Sequence, residues 1–409
     1  MNILEIKKHS GKVHCTITPP SSKSESNRAL IINALTGFKS DIQNASNARD
    51  TQTMIRLLQS EEKTLDVIDA GTTMRFLTAY LAITGQNKIL TGTKRMCERP
   101  IKLLVDALRT LGANITYLGN EGYPPLEIHH FDKSKVPTNK LSIRGDVSSQ
   151  YITALLMVAP VLPEGLVLEL TGKIGSRPYI EMTLSLMAKF GIQADWTGNT
   201  ITIKHQEYKP ATYKIESDWS GASYWFSIAA LADEAEIKLE GYKKDSYQGD
   251  HVITEIMEHL GVKTTFTESG LLLQKSGTAS DFSFDFTHCP DLAQTIAVAC
   301  AAKGIECTMS GLESLRIKET DRIAALQNEL KKFGTEMVEV EKDVTYKVLK
   351  SDFKIDNQQI ATYKDHRMAM AFAPLALLGE IAIEQPDVVD KSYPDFWKDL
   401  SVAGFSYKD

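Results

Sequence analysis

The sequence predicts a two-domain α/β protein in which one structural repeat occurs six times. Two interleaved helix patterns return along the chain at intervals of 70 to 79 residues, with one shorter interval of 44 near the start. The length of 409 residues is a third observation, because a single hydrophobic core stops growing at roughly 250–300 residues. Together these observations predict six repeats, the first of them shortened, divided between two domains.

The first pattern is an amphipathic helix that ends in glycine and leads into a strand-like stretch, as in LVDALRTLGANITYL and ITEIMEHLGVKTTF. Helices often end with a residue in the left-handed conformation, where glycine is favoured because it has no Cβ. The β-branched residues that follow are typical of strands. Five glycines hold this position at spacings of 79, 70, 73 and 70 residues: Gly112, Gly191, Gly261, Gly334 and Gly404.

The second pattern is a helix that begins with small polar residues and continues as an apolar run, as in SSQYITALLMVA and PDLAQTIAVACAA. A helix that is apolar on every face is buried on every face. Six such helices are predicted to begin near Ser26, Ala70, Ser148, Ser220, Pro290 and Asp365. Each repeat is therefore expected to contain one buried helix and one amphipathic helix packed over strands.

The domain boundary is predicted near Lys214–Glu216, after the strand-like stretches of the third repeat. We assign residues 21–215 to the first domain, and residues 1–20 together with 216–409 to the second. Each domain then holds three repeats and three buried helices.

The composition excludes several classes of protein. Apolar residues make up 43% and charged residues 24%, which is typical of a globular chain. The net charge of −6 leads us to expect no nucleic-acid partner. No apolar run approaches the roughly 20 residues of a membrane span, and we expect neither a membrane partner nor a signal peptide. The five scattered cysteines contain no CxxC pair, which favours the cytoplasm over a disulfide framework.

Polar and charged residues concentrate at the starts of the predicted buried helices. Helix N-termini carry unpaired N–H groups and a partial positive charge, so several of them around one space would bind anions. Ser, Asp and Pro are also ordinary N-cap and N1 residues, which leaves a purely structural explanation open for any single helix. Arginines at three of these starts, Arg28, Arg75 and Arg367, favour an anion site, because an unpaired buried charge is costly.

Two further segments combine cations with carboxylates. KRMCERPIKLL places Arg99 just before an amphipathic helix, and LRIKETDRIAAL places Lys318, Glu319 and Arg322 at a helix start. If the second segment is helical throughout, its three residues share one face. Such a mixture suits a site that binds anions and transfers protons, with solvated charges and ordinary salt bridges as the alternatives. No GxGxxG or P-loop motif occurs and the histidines lack metal-ligand spacing, so dinucleotide and P-loop binding are unsupported.

Nine motifs, in this order, resemble those of the 5-enolpyruvylshikimate-3-phosphate (EPSP) synthase family. They are PPSSKSESNRAL, DAGTTMR, LTGTKRMCERPI, DVSSQYITALLM, SRPYIEMTL, CPDLAQTIA, LRIKETDRI, YKDHRMAMAF and DKSYPDFW, and they span nearly the whole chain. The resemblance implies a two-domain inside-out α/β barrel with three βαβαββ repeats in each domain and the active site in the cleft between the domains. This agrees with the six repeats predicted from spacing alone.

The resemblance also implies a reaction and a set of residues. The family transfers the enolpyruvyl group of phosphoenolpyruvate to shikimate 3-phosphate through a tetrahedral adduct, without metal or organic cofactor. Catalytic roles are implied for Asp291 as proton acceptor, for Glu319 as proton donor and for Lys23. The implied shikimate 3-phosphate subsite consists of Lys23, Ser24, Arg28, Ser148, Ser149, Gln150, Ser176, Tyr179, Asp291 and Lys318. The implied phosphoenolpyruvate subsite consists of Lys23, Gly71, Arg99, Gln150, Glu319, Arg322, His366, Arg367 and Lys391.

Two other functions are considered. The sister enolpyruvyl transferase that acts on UDP-N-acetylglucosamine resembles this fold, but it usually has a Cys five residues before its loop Arg, whereas here Cys97 precedes Arg99 by two. A non-catalytic anion-binding repeat protein is the second, and the presence of both Asp291 and Glu319 argues against it. Family members are usually monomers, so a cytoplasmic monomer is expected.

The chain departs from the usual family pattern at a few positions. The first repeat lacks a strand-rich stretch between Leu58 and Asp69. Asp69 stands where Asn is common and adds a negative charge near the expected anion site. Ser314 stands where many members have an Asn that contacts the shikimate phosphate, and it is not counted as a ligand.

Overall fold

The computed structural model describes residues 2–146, 148–277 and 280–408. Its contacts divide the chain into two compact units, the N-unit (Ser22–Ile215) and the C-unit (Met1–Ser21 with Glu216–Asp409). The sequence-based boundaries lie after residues 20 and 215, and the contacts divide the chain after Ser21 and Ile215.

Helices occupy both units. The described residues form α1 (Lys23–Leu35), α2 (Arg49–Leu58), α3 (Gly71–Thr84), α4 (Lys94–Cys97), α5 (Lys102–Thr110), α6 (Ser149–Val158), α7 (Arg177–Lys189), α8 (Trp219–Leu231), α9 (Ile253–Glu258), α10 (Ala293–Lys303), α11 (Arg322–Lys331), α12 (His366–Phe372) and α13 (Phe396–Val402). In this part of the chain no helix is long and apolar enough to cross a membrane.

The buried helices are α1, α3, α6, α8, α10 and α12, and each begins within three residues of its predicted start. Every residue of α12 is buried, as is every residue of α8 except Ser220. In the N-unit α1, α3 and α6 pack against one another, and in the C-unit α8, α10 and α12 do the same. Because most residues of these helices are buried, the sheets and amphipathic helices of the same unit must cover them. The predicted inside-out arrangement is confirmed.

In the described residues, six sheets are built from the following strands. They are β1 (Ile3–Ile6), β2 (Lys12–Ile17), β3 (Asp41–Gln43), β4 (Thr64–Asp66), β5 (Lys88–Thr91), β6 (Ile115–Tyr117), β7 (Leu126–Ile128), β8 (Lys140–Arg144), β9 (Leu166–Thr171), β10 (Asp195–Thr197), β11 (Thr200–Ile203), β12 (Thr212–Lys214), β13 (Glu234–Glu240), β14 (Val262–Phe266), β15 (Gly270–Lys275), β16 (Phe282–Asp285), β17 (Cys307–Ser310), β18 (Met337–Glu341), β19 (Thr345–Val348), β20 (Gln359–Ile360) and β21 (Ile381–Glu384).

Four of the sheets share one topology. Their orders are β4-β5-β7-β6, β8-β9-β11-β10, β2-β13-β15-β14 and β16-β17-β19-β18. In each sheet the first two strands are parallel and the last two form an antiparallel hairpin. With a buried helix before the second strand and an amphipathic helix after it, this is a βαβαββ repeat. In the first repeat, β3 pairs in parallel with β12 from the end of the N-unit, and no strand lies between α2 and β4 in this described stretch, so the shortening is confirmed. The last repeat is completed by β1 in the order β1-β21-β20.

The helix-ending glycines behave as predicted. Gly112, Gly191, Gly261, Gly334 and Gly404 all have positive φ, between 76° and 96°. An L side chain rarely adopts this conformation, which is why glycine recurs after these five amphipathic helices. The amphipathic α2 of the first repeat instead ends at Gln59 in the right-handed conformation.

Helix α11 begins at Arg322, whereas the helix considered from the sequence included Lys318 and Glu319. Asp321 is its N-cap and accepts a hydrogen bond from the N–H of Ala324 (3.0 Å). Lys318, with φ −79° and ψ −150°, and Glu319 therefore precede α11 instead of lying on one of its faces. The helical geometry considered for these residues is wrong, because the side-chain cap stops the helix at Arg322.

Candidate active site

The predicted site residues divide between the two units, and we call the two sets the N-unit cluster and the C-unit cluster. The N-unit cluster consists of Lys23, Ser24, Arg28, Gly71, Arg99, Ser148, Ser149, Gln150, Ser176 and Tyr179. The C-unit cluster consists of Asp291, Lys318, Glu319, Arg322, His366, Arg367 and Lys391. In both clusters, most residues lie at or just before the first turn of a helix.

Lys23 is the first residue of α1, and Ser22 caps that helix by accepting a hydrogen bond from the N–H of Glu25 (3.3 Å). The Lys23 Nζ lies 3.3 Å from Oδ2 of Asp50 at the start of α2. The carbonyl of Asp50 accepts a hydrogen bond from the hydroxyl of Thr73 on α3 (3.3 Å). Asp50, which the sequence analysis missed, therefore connects three helix starts in this cluster.

Arg28 is buried, with only 2% of its surface exposed, and connects α1 to α7. Its Nε donates to the hydroxyl of Thr183 (2.7 Å), and its NH1 donates to the carbonyl of Ser24 (2.8 Å). Its guanidinium also lies 5.3 Å from the ring of Phe76 and 5.7 Å from that of Tyr179. Burial lowers the pKa of Arg28 to about 10, which still leaves it positively charged at neutral pH.

The Arg99 guanidinium lies directly against the start of α3. A Cβ on Gly71 would be 2.7 Å from NH1 of Arg99, which is closer than any ordinary contact. The next residue, Pro100, is fixed through its carbonyl, which accepts hydrogen bonds from NH2 of Arg75 (3.1 Å) and from the hydroxyl of Tyr151 (2.5 Å). Arg75, predicted as a charge at a helix start, thus holds the segment that carries Arg99.

The starts of α6 and α7 carry the remaining polar residues of the N-unit cluster. Ser148 caps α6 by accepting a hydrogen bond from the N–H of Gln150 (3.4 Å), and Ser149 is buried. The Gln150 Nε2 donates to the hydroxyl of Thr72 (3.0 Å), which places Gln150 beside the residue after Gly71. Ser176 is the N-cap of α7, with a φ of 51°.

Arg322 is the centre of the C-unit cluster. It is 2% exposed, and its three nitrogens donate to three carboxylates. Nε reaches Oδ2 of Asp365 (2.7 Å), NH1 reaches Oδ1 of Asp291 (3.0 Å) and NH2 reaches Oε2 of Glu319 (2.9 Å). Burial alone would lower the pKa of Arg322, but these carboxylates outweigh it and raise that pKa.

A second arginine completes the surroundings of Asp291. The Arg367 NH2 lies 2.8 Å from Oδ2 of Asp291. Burial by itself would raise the pKa of Asp291, but the charges of Arg367, Lys318 and Arg322 together hold it well below its ordinary value. Asp291 is therefore an ionised carboxylate in the free protein.

His366 and Lys391 occupy buried positions in the same cluster. His366 is 1% exposed, and its Nδ1 lies 3.7 Å from Oδ1 of Asp365. Lys391 is 2% exposed, and its Nζ lies 3.7 Å from Oε1 of Glu319. Glu319 is thus held between Arg322 and Lys391.

Asp250 is a buried carboxyl next to this cluster that the sequence analysis did not identify. It is 4% exposed, and its Oδ2 accepts a hydrogen bond from the hydroxyl of Ser220 on α8. The same hydroxyl accepts a hydrogen bond from NH2 of Arg367 (3.4 Å). Burial, together with the charge of Asp291, raises the pKa of Asp250 to about 7.

This pKa predicts a pH-dependent contribution to stability. An unfolded Asp has a pKa of about 3.9, so between that value and about 7 the folded protein keeps a proton that the unfolded chain releases. The stabilisation is therefore complete below the unfolded pKa and is lost as the pH rises through about 7. In Asp250→Asn this dependence should be absent, so the variant should gain stability relative to the parent protein between about pH 5 and pH 8. Urea unfolding at about pH 5 and about pH 8 measures the free energy of unfolding of both proteins. An equal change with pH in the variant and the parent protein would contradict the prediction.

The two clusters have a defined chemical capability. Buried arginines and lysines at helix N-termini bind phosphate and carboxylate groups. Asp291 and Glu319 add two carboxylates in different surroundings, which suits proton removal and proton delivery at different atoms. Within the described residues, no group of three or more His, Cys, Asp or Glu side chains is arranged to hold a metal ion.

Solved structures identify the class of fold. The chain is similar to EPSP synthase from Acinetobacter baumannii, with a TM-score of 0.78 and 19% identity over 99% of this chain and 100% of that one. It is also similar to the enolpyruvyl transferase NikO from Streptomyces tendae, with a TM-score of 0.75 and 13% identity over 99% of both chains. The fold is that of the enolpyruvyl transferases.

Sequence comparisons identify the family. The family model described as EPSP synthase (3-phosphoshikimate 1-carboxyvinyltransferase) matches residues 7–60 and 56–400. Proteins named 3-phosphoshikimate 1-carboxyvinyltransferase from Bacteroides fragilis (strain YCH46) and Histophilus somni (strain 2336) are 48% and 36% identical to this chain. The matches cover 97% and 94% of this chain and 97% and 95% of those proteins. The chain belongs to the EPSP synthase family, which confirms the resemblance found in its motifs.

Proposed function

We propose that this chain transfers the enolpyruvyl group of phosphoenolpyruvate to the 5-hydroxyl of shikimate 3-phosphate, giving 5-enolpyruvylshikimate 3-phosphate and phosphate. The observation that carries the proposal is the C-unit cluster, in which buried Arg322 and Arg367 both contact Asp291 while Arg322 also contacts Glu319. Each substrate carries a phosphate and a carboxylate, and arginine binds both groups through paired hydrogen bonds. Membership of the EPSP synthase family supports the same reaction.

We assign shikimate 3-phosphate mainly to the N-unit cluster. Hydroxyl groups at helix starts, together with the adjacent N–H groups, suit a phosphate. Lys23 supplies a positive charge at the start of α1, and buried Arg28 holds Ser24 and Tyr179 in place. The proposed ligands are Lys23, Ser24, Arg28, Ser148, Ser149, Gln150, Ser176 and Tyr179, with Asp291 and Lys318 from the C-unit cluster.

We assign phosphoenolpyruvate to cations from both clusters. The proposed ligands are Lys23, Gly71, Arg99, Gln150, Glu319, Arg322, His366, Arg367 and Lys391. Gly71 lets the Arg99 guanidinium and the N–H groups at the start of α3 approach a small anion, since it has no Cβ. We propose that both clusters act on the same pair of substrates.

In the addition step, the 5-hydroxyl oxygen of shikimate 3-phosphate bonds to C2 of phosphoenolpyruvate. Asp291 takes the hydroxyl proton, and Glu319, which enters the step protonated, delivers its proton to the methylene carbon C3. In the elimination step, the new methyl group returns a proton to Glu319, the bond between C2 and the phosphate oxygen breaks, and the double bond forms again. The departing phosphate carries away the proton held by Asp291, so both carboxyl groups return to their starting states.

Substrate binding prepares Asp291 for this role. In the free protein Arg367, Lys318 and Arg322 hold its pKa low, which makes it a weak base. Anionic groups of the substrates take over part of the hydrogen bonding of these cations, so the pKa of Asp291 rises towards a useful value. Arg322 and Lys391 contact Glu319 in the free protein, and the substrates take over part of these contacts as well.

A phosphate-release assay tests the proposed reaction. Phosphate should appear when shikimate 3-phosphate and phosphoenolpyruvate are both present, and not with either substrate alone. UDP-N-acetylglucosamine in place of shikimate 3-phosphate should give no release. Release with UDP-N-acetylglucosamine and none with shikimate 3-phosphate would overturn the proposal in favour of the sister transferase, and inactivity with every acceptor would favour an anion-binding protein.

Gly71→Ala tests the contact with Arg99. The added Cβ would lie 2.7 Å from NH1 of Arg99, so the flexible end of that side chain must move while the fold changes little. Loss of one charge-assisted hydrogen bond, about 1.5–3 kcal/mol, predicts a rise of about tenfold or more in KM for phosphoenolpyruvate. Gly119→Ala is the matched control, because its Cβ would meet only Pro125 Cδ at 3.7 Å. Equal KM values for the two variants would contradict the assignment.

We also propose that the protein works as a monomer in the cytoplasm. All five cysteines are free thiols, which suits a reducing compartment. Light scattering coupled to size-exclusion chromatography tests the monomer, with an expected mass near 45.4 kDa. A stable dimer at assay concentrations would overturn it.

A further inference from the structure

Two consecutive residues in the left-handed conformation lie just before the C-unit residues His366 and Arg367. Tyr363 and Lys364 have φ values of 54° and 59°. The N–H of Asp365 donates to the carbonyl of Thr362 (2.9 Å), which closes a tight turn with positive φ at both central positions. Gly, Asn and Asp usually occupy these positions, because a larger side chain is disfavoured there. Other parts of the structure must therefore hold this turn.

Glu329 on α11 supplies the contacts that hold the turn. Its side chain is fully buried (0% exposed). Oε1 accepts a hydrogen bond from the hydroxyl of Tyr363 (2.9 Å), and Oε2 accepts hydrogen bonds from the N–H of Ala361 (3.1 Å) and from Nζ of Lys332 (2.6 Å). Tyr363 belongs to the turn and Ala361 lies just before it, so two of the three donors fix the turn.

The same helix also holds the other end of the turn. Arg322 lies seven residues before Glu329, about two helical turns away. Its Nε donates to Oδ2 of Asp365 (2.7 Å), while Oδ1 of Asp365 accepts a hydrogen bond from the N–H of Arg367 (2.9 Å). Arg367 in turn reaches Asp291. A continuous series of contacts therefore leads from Glu329 through the turn to the proposed proton acceptor.

We propose that Glu329 is a positioning residue that holds the strained turn and thereby places Asp365, His366 and Arg367. Its three hydrogen-bonding partners, Ala361, Tyr363 and Lys332, belong to neither cluster, so its effect on the substrates is indirect. The expected change in KM rests on the proposed function of the C-unit cluster, whereas the expected effect on the turn itself does not.

The kinetic test compares Glu329→Ala, Glu329→Gln and Tyr363→Phe with the parent protein. Displacement of Arg367 should raise KM for phosphoenolpyruvate by about tenfold in Glu329→Ala. The rise should be smaller in Glu329→Gln, which keeps one acceptor oxygen, and smallest in Tyr363→Phe, which removes a single hydrogen bond. The solvent-exposed Lys331→Gln on the same helix is the control and should leave KM unchanged. Unchanged KM in Glu329→Ala, or no order among the three variants, would overturn the proposal.

A rescue experiment separates strain from simple loss of packing. Glycine adopts positive φ without steric cost. In the Glu329→Ala background, Lys364→Gly should therefore lower the KM for phosphoenolpyruvate part of the way back to the parent value. If Glu329 acts only by filling the core, glycine at 364 should restore nothing, and that result would also overturn the proposal.

Hydrogen exchange tests the inference without any substrate. In Glu329→Ala the amides of residues 361–367 should exchange faster, while those of buried α8 in the same unit should keep their parent rates. Faster exchange spread evenly over the C-unit would indicate a general structural role and would overturn the proposal. This measurement also separates the two hypotheses, because an inactive parent protein would overturn the proposed function and leave the exchange result interpretable.

Discussion

Replacing Asp291 with Asn should lower kcat by about 10²-fold or more, the usual scale for loss of a general base. The amide keeps the shape of the carboxyl group and can still accept a hydrogen bond from Arg367, which lies 2.8 Å away. It cannot take the proton from the 5-hydroxyl of shikimate 3-phosphate. Binding of that substrate, measured by calorimetry, should change far less than turnover measured by phosphate release.

Glu319→Gln should cause a similar loss, because the amide cannot protonate the methylene carbon of phosphoenolpyruvate. Asp245→Asn and Glu313→Gln are matched controls, since both carboxylates belong to the same unit and are exposed. Turnover near the parent value in both Asp291→Asn and Glu319→Gln would refute the two proton-transfer roles.

Arg322→Met should have the largest effect on stability. The change leaves Asp291, Glu319 and Asp365 without the buried guanidinium that contacts all three of them. Removing one partner of a buried ion pair destabilises a protein by about 3–5 kcal/mol, because the remaining charge is left uncompensated. The free energy of unfolding of the C-unit should fall by this amount, and activity should be lost with it.

Tryptophan fluorescence during denaturant unfolding measures this effect. Trp219, Trp225 and Trp397 lie in the C-unit and Trp196 in the N-unit, so a Trp196→Phe background makes the signal specific to the C-unit. Arg316→Met is the matched control, because Arg316 also contacts three carboxylates but is 32% exposed. Ion pairs at the surface contribute about 1 kcal/mol or less. An equal loss of unfolding free energy in the two variants would show that burial of the arginine is not the cause of the destabilisation.

The repeat architecture could be predicted because its signals are local. Gly112 and the four later helix-ending glycines are needed wherever a helix ends in the left-handed conformation, whatever the helix packs against. The apolar runs of α8 and α12 likewise require burial whatever their partners are. These requirements act within a few residues, so spacing along the chain was enough to count the repeats.

The motif residues could be named from the sequence, but their supporting residues could not. Asp50, Asp250 and Glu329 carry no distinctive local pattern, and each acts through residues that are distant in sequence. The expected helix through Lys318 and Glu319 failed for a related reason. Side-chain spacing allowed it, but Asp321 caps α11, so the helix starts at Arg322, four residues after Lys318.

The number of repeats, the buried helices and the family could all be inferred from the sequence, because periodicity and motifs are properties of the chain order. Which charges meet depends on how distant segments fold together. Arg322 contacts carboxylates 31 and 43 residues away, and Arg28 contacts Thr183 across 155 residues. The protonation of Asp291 and Asp250 depends on such distant charges and on burial. Both effects act through space, so the residues next to these carboxyl groups in the sequence do not reveal them.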